Sequence, residues 1–207
     1  MALKITMFSD FVCPFCYIGF EVIRKLKPEF NIDLEWRGYQ IHPEWPPEGI
    51  PAEQLHAPSD MDARRAAWQR IIAMAEAEGL EIKAPTVFTS SRAALAACEF
   101  AREKGGADQL EGRIYRAYFV DGANIGDAKL VARLGAECGF DEREVAQAIA
   151  APRYELRLKN NALAARQRSV SGVPTFFIGE YPLVGAQSEE TMRHILSRYV
   201  HKLSAAN

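Results

Sequence analysis

Two cysteines close to the start of the chain carry the clearest chemistry. Cys13-Pro14-Phe15-Cys16 sets two thiols three positions apart, at the point where a short apolar run gives way to a helical pattern. Proline is accommodated at the first position of a helix, because the N–H it lacks would be unpaired there anyway, so Pro14 fixes Cys13 at a helix N-terminus. Unpaired backbone N–H groups and the positive end of the macrodipole favour a thiolate over a thiol. Thiols in such settings fall from about 8.5 to roughly 3.5 to 7.5. The dipole supplies only about 0.3 to 2 kcal/mol, so a larger shift needs direct hydrogen bonds to the sulfur. Cys16, one turn along, lies on the same side of the helix and can close a small disulfide with Cys13. The pattern assigns Cys13 as the attacking sulfur, forming a mixed disulfide with a substrate, and Cys16 as the thiol that resolves it.

A competing use of two such cysteines is half of a tetrahedral zinc site, which needs two more ligands at tight spacing. Cys98 and Cys138 are isolated, and His42, His56, His194 and His201 are not paired at helical or finger spacing, so no metal site is expected. Cys98 shares a helical stripe with Ala94 and Leu95, and Cys138 one with Val131 and Leu134, which makes each a small buried hydrophobe. Asp10 could assist proton transfer but reads more simply as a turn residue ending a strand. Trp36, Trp45 and Trp68 fit the core better than a substrate groove. A second motif, Ser171-Gly172-Val173-Pro174-Thr175, stands before a late strand pattern. Proline is tolerated at the first residue of a strand, so an ordinary trans proline is one reading of it.

The elements around these motifs have a definite order. Residues 3 to 8 read as a short buried strand, with Ser9 and Asp10 ending it. From Pro14 the apolar positions Tyr17, Ile18, Val22, Ile23 and Leu26 recur at helical spacing, and Pro28 stops that helix. Ile32, Leu34 and Trp36 alternate within residues 31 to 41, as in a half-buried strand. Strand, helix and strand form a βαβ unit whose right-handed crossover makes the strands parallel. Five prolines between positions 43 and 58 then exclude a helix or central strand and mark a domain boundary. Helical stretches follow at about 59 to 79, opened by a capping box of Ser59 and Asp62, and at 90 to 104, 107 to 120, 127 to 138, 141 to 149 and 152 to 168. Thr175 and Tyr181 begin two β-type runs about Gly179 and Glu180, read as a hairpin. A last helix runs from Ser188, its N-cap, to Tyr199. The reading is therefore an α/β sheet domain built from residues 1–45 and 169–207, with a helical insertion at 46–168.

At 207 residues the chain buries enough surface to fold without a disulfide or metal staple, which leaves a cysteine pair free for catalysis. With 25 Lys and Arg against 27 Asp and Glu, interleaved, there is no basic face for nucleic acid. No apolar run approaches the roughly 18 residues of a membrane span, and Asp10 interrupts the first apolar stretch before it reaches signal-peptide length. A cytoplasmic protein is expected, in a compartment where disulfides are transient and catalytic.

Taken together, a CxxC at a strand-to-helix junction and a Gly-Val-Pro-Thr before a late hairpin resemble the thioredoxin-fold superfamily. The stretches Ser-Asp-Phe-Val-Cys-Pro-Phe-Cys-Tyr-Ile-Gly, Tyr118-Phe119 with Asp-Gly-Ala-Asn-Ile-Gly-Asp, Ser-Val-Ser-Gly-Val-Pro-Thr-Phe-Phe-Ile-Gly and Tyr-Pro-Leu-Val-Gly-Ala-Gln resemble the DsbA family, in its cytosolic FrnE-like branch. That resemblance implies a thioredoxin-like fold with a large all-helical insertion domain. It further implies a cis Pro174 beside the two cysteines, with Thr175 packed beneath. It makes Val173, Pro174, Pro14 and Phe15 the substrate-facing surface, the Val173 backbone pairing with an extended chain. Pro14-Phe15 departs from the Pro-His of the strongly oxidising periplasmic enzymes, which implies a more reducing couple. The implied partners are protein or small-molecule thiols and disulfides, with no bound cofactor and glutathione as the one candidate co-substrate. Two other activities share these features. Glutathione-dependent enzymes resembling 2-hydroxychromene-2-carboxylate isomerase and the kappa-class glutathione transferases use a Ser where Cys13 stands and need no resolving thiol. A peptide-binding chaperone would keep Val173-Pro174 and require neither sulfur. Nothing in the sequence sets the oligomeric state.

Overall fold

The computed structural model describes residues 2–55 and 58–205. A first strand, β1 (Leu3–Ser9), leads into α1 (Pro14–Phe30) and then β2 (Ile32–Gly38). β1 and β2 are parallel, from Leu3 opposite Ile32 to Ser9 opposite Gly38, as the crossover requires. Pro28 sits inside α1 and does not stop it. Pro28 lies in the last turn, with only Glu29 and Phe30 after it, so the missing N–H costs little. The chain leaves the helix at Asn31, in the left-handed region at φ 48°, its amide bonded to the Lys27 carbonyl. β2 ends at Gly38, short of residue 41, because its neighbour β1 ends at Ser9.

The proline-rich passage carries small elements that the sequence did not announce. They are β3 (Ile50–Pro51), the single turn α2 (Ala52–Leu55) and a 3₁₀ turn (Pro58–Asp60), followed by α3 (Met61–Ala77). The capping box is not formed: Asp60 occupies the N-cap, and the Ser59 hydroxyl donates to the Asp60 side chain instead. β3 pairs antiparallel with β4 (Val87–Phe88), a two-residue ribbon apart from the main sheet. Next come α4 (Arg92–Lys104), α5 (Ala107–Phe119), α6 (Ala128–Glu137), α7 (Glu142–Ala150) and α8 (Pro152–Gln167). Asp127 and Asp141 cap α6 and α7 through side-chain bonds to Lys129 N and Glu144 N.

β5 (Thr175–Ile178) and β6 (Tyr181–Val184) form the late hairpin, with Gly179 at φ 59° in its turn. β5 lies antiparallel to β1, giving the order β2-β1-β5-β6. α9 (Glu189–Ala205) closes the chain, capped by Ser188 and running past Tyr199, with Met192 and Leu196 buried. The main sheet thus joins the first 38 residues to residues 175–184, and one buried apolar cluster continues from it into α4, α5 and α6. Gly19 permits a close approach between the two ends. A Cβ there would stand 2.9 Å from the Phe176 ring and 3.5 Å from Pro174 Cγ.

One buried charge in this shared core makes a measurable prediction. Glu111 on α5 is fully buried, Arg102 donates to its Oε1 at 3.0 Å, and Oε2 has no partner among the described residues. Burial pushes its carboxyl from 4.5 up to about 7, outweighing the pull of Arg102. A carboxyl that holds its proton more tightly folded than unfolded gives its full stabilisation below pH 4.5 and loses it as pH rises to about 7. At ~1.4 kcal/mol per pH unit the loss is on the order of 3 kcal/mol. In denaturant titrations the stability of wild type relative to Glu111→Gln should fall by about that amount across the window, leaving the variant the more stable at its upper end. A difference flat in pH would remove Glu111 as its source.

Candidate active site

The strand-to-helix junction puts Cys13 at the N-cap of α1, with extended dihedrals (φ −96°, ψ 115°) and Pro14 as the first helical residue. No side chain caps the helix there, and the Cys13 carbonyl accepts from Cys16 N at 3.0 Å and Tyr17 N at 3.3 Å. Cys13 is 6% exposed and Cys16 fully buried beneath it, and both thiols are free. Pro14 is half-buried, while Phe15 is 37% exposed and turned outward.

The second motif arrives from the far end of the chain. The Val173–Pro174 peptide bond is cis, and the Cys13 sulfur donates to the Val173 carbonyl at 3.6 Å. Among the described residues the Val173 amide makes no hydrogen bond. Pro174 is buried, its carbonyl accepting from Gly185 N at 2.8 Å, and Thr175 lies beneath it with its hydroxyl donating to Gly172 O at 2.7 Å. The structure therefore brings Cys13, Cys16, Val173 and Pro174 together, with Pro14 and Phe15 at the rim.

Burial dominates the electrostatics beneath the sulfurs. It pushes the Cys16 thiol well above its usual value, and the adjacent Cys13 adds to the rise, while the Ser9 hydroxyl and the Asp10 backbone oppose it. Asp10 is itself fully buried. Its Oδ2 accepts from Ile41 N at 2.7 Å, fixing the chain beyond β2, so the residue serves the turn. Its Oδ1 and the Ser91 hydroxyl approaching it are buried without a hydrogen bond of good geometry, and burial raises its carboxyl. Cys98 is fully buried, its thiol pushed well up by burial. Cys138 is half-buried, more open than its helical stripe predicts, because it caps the exposed end of α6. Among the described residues no cluster of His, Cys, Asp and Glu could hold a metal, and His56 lies outside them.

Beside the second motif opens a groove of about 1040 Å³, lined by Tyr39, Ile41, Trp45, Leu158, Arg166 and Gly172 among others. Sequence reasoning placed Trp45 in the core. It is half-buried on the groove wall, stacked on His42 with ring centroids 3.8 Å apart. Trp36 is buried core, and Trp68 packs half-buried against it. Two residues beside the reactive turn carried no expected role there, Ser9 and Tyr115, whose buried hydroxyls meet at 2.6 Å. The readable sign for Ser9 was a polar residue at the inner end of a buried strand. Tyr115 offered none, since only the fold brings α5 there.

A family model for the DSBA-like thioredoxin domain matches residues 4–197, and the chain belongs to this family, whose members are generally thiol-disulfide oxidoreductases. The sequence is 29% identical over 202 residues to the uncharacterized protein YwbO of Bacillus subtilis (strain 168), spanning 95% of this chain and 97% of that one. A probable DsbA oxidoreductase from Streptomyces coelicolor superposes with TM-score 0.85 at 23% identity, covering 96% of this chain and 90% of the other. 2-Hydroxychromene-2-carboxylate isomerase shares the fold at TM-score 0.78 and 17% identity, over 99% and 100% of the two chains. The cytosolic disulfide reductase DsbM of Pseudomonas aeruginosa, solved with GSH, does so at TM-score 0.69 and 18% identity, over 99% and 98%. Among the described residues no helix is long and apolar enough to cross a membrane.

Proposed function

We propose that the protein is a dithiol-disulfide oxidoreductase that works through a mixed disulfide on Cys13, resolved by Cys16. The observation that carries this is the Cys13 sulfur 3.6 Å from the Val173 carbonyl, with a second free thiol buried one turn along the same helix. A substrate sulfur reaching Cys13 meets the unpaired Val173 amide, and an extended chain can take that amide as a main-chain donor. Pro14 and Phe15 form the lip over which it passes. The groove that Gly172 helps to line has room for the rest of the substrate. Within it Arg92 and Lys159 are tied to Glu155 at 2.7 and 3.0 Å, while exposed Arg166 has no ion-pair partner among the described residues. An anionic group on the substrate, such as a carboxylate of glutathione, suits that cation. The reading covers small thiols and protein thiols, with glutathione as co-substrate, in the cytoplasm, and the GSH-bound DsbM neighbour supports it.

The isomerase class shares the architecture. An enzyme that only activates bound glutathione has no use for a resolving sulfur, and both cysteines are present here. The discriminating experiment is a redox titration. Protein equilibrated with reduced and oxidised glutathione should pass reversibly between a dithiol and a Cys13–Cys16 disulfide, followed by thiol alkylation and mass. Glutathione binding that persists after both cysteines are alkylated, with no reversible disulfide, would move the protein to the isomerase class.

A further inference from the structure

Residues 121–127 join α5 to α6, and Gly126 among them lines the groove beside the second motif. The turn is fixed from within. Ile125 is fully buried, Ala123 N donates to the Ala117 carbonyl at 2.8 Å, and Asn124 Oδ1 accepts from Gly126 N at 2.9 Å. The other end of the same side chain reaches a distant segment. Asn124 Nδ2 donates to the Pro47 carbonyl at 3.0 Å, 77 positions away, and to the Glu48 carbonyl at 3.1 Å. An amide NH2 has two protons to give, and both have an acceptor.

Those carbonyls belong to the part of the groove wall that carries Trp45, with Pro43 and Pro47 beside it. This wall has little to hold itself with. Prolines at 43, 46 and 47 have no N–H to place in a ladder, and its own turn bonds run from Trp45 N to His42 O at 3.3 Å and from Gly49 N to Pro46 O at 3.1 Å. Its anchors come from outside: Thr89 Oγ1 donates to Pro47 O at 3.1 Å, Ser90 N to Pro46 O at 3.2 Å, and Asn124 adds its two bonds. The fit is close, since Thr89 Oγ1 and the Pro47 carbonyl oxygen fill the place that a Cβ on Gly126 would take. Resting on the reading of the groove as the place where substrate lies, we propose that Asn124 is a positioning residue for substrate binding. It holds the Pro47 and Glu48 carbonyls, and through them sets where the Trp45 wall stands. Aspartate at this position keeps an acceptor for Gly126 N but has no donor, and turns a negative charge toward two carbonyl oxygens.

The test separates the wall from the sulfur. In a Cys16→Ala background, Cys13 takes one glutathione from glutathione disulfide and releases the other as the thiol; this capture, followed by intact-protein mass, uses both the thiol and the groove. Alkylation of Cys13 by iodoacetamide uses the thiol alone. Asn124→Asp should lower the capture rate about fivefold, the scale of a lost neutral hydrogen bond or two, and leave alkylation as it is. In a Trp45→Ala background the same change should add little, because residues that act through one another are not additive. Thr89→Val keeps the side-chain shape and removes the hydroxyl anchor on Pro47, so it should act in the same direction, and it serves if Asn124→Asp does not fold. Capture unchanged by both variants, capture and alkylation slowed alike, a full effect in the Trp45→Ala background, or capture indifferent to Trp45→Ala would overturn the positioning role and leave the dithiol reading standing. If the parent Cys16→Ala protein captures no glutathione on Cys13, the dithiol reading fails and the positioning role fails with it.

Discussion

Cys13→Ala should lose all dithiol-disulfide turnover, while Cys16→Ala should stop after one event and accumulate protein covalently joined to its substrate. The two thiols differ in what they can reach. Cys13 retains some exposure and stands against the Val173 backbone, so a substrate sulfur can meet it. Cys16 is fully buried one turn along α1, so its accessible target is Cys13. Residues that act as a unit give non-additive losses. The double variant should therefore be no worse than Cys13→Ala alone. The check is a reductant-coupled assay together with intact-protein mass. Normal turnover by Cys13→Ala, or free protein as the sole product of Cys16→Ala, would defeat the assigned order of attack.

The second large effect concerns stability. Trp36→Ala should cost roughly 3 to 5 kcal/mol, the range for emptying a large aromatic site in a core. Trp36 is 1% exposed, stacks on Phe11 at 5.0 Å between centroids, and has the Arg102 guanidinium 5.8 Å over its ring. Phe11 in turn touches Tyr115, so the cavity would open directly behind the reactive turn. Trp45→Ala makes the matching control. It lies on the groove wall, half-buried, with His42 and Phe88 against it. Its loss should raise the substrate KM several-fold with a smaller fall in the denaturation midpoint. Equal destabilisation by the two changes would mean that Trp45 is core and that the groove is not a binding surface.

Periodicity carried most of the architecture. The long helices announced themselves because each has an apolar stripe and a polar or glycine stop, and the hairpin because two β-type runs flank a glycine turn. Errors fell where a local rule met a tertiary fact. Pro28 breaks a helix in isolation, yet two residues from the end it removes a single bond that packing of Leu26 and Ile23 easily replaces. The β3 and β4 ribbon is two residues on each side, too short to generate a pattern. At the site, Cys13 and Cys16 were legible because their spacing is itself the signal, and Val173 and Pro174 only through family resemblance. Ser9, Tyr115 and the groove were hidden, since hydroxyls that meet across 106 positions leave no local trace.

The Cys13–Val173 contact spans 160 residues, which has a consequence for biosynthesis. At ~5–20 residues per second, the ribosome releases the thiol pair roughly ten to thirty seconds before the segment that completes its surroundings. Throughout that interval the nascent chain carries two cysteines and no docking strand. Competence for exchange is therefore withheld until the segment carrying Val173 has been made.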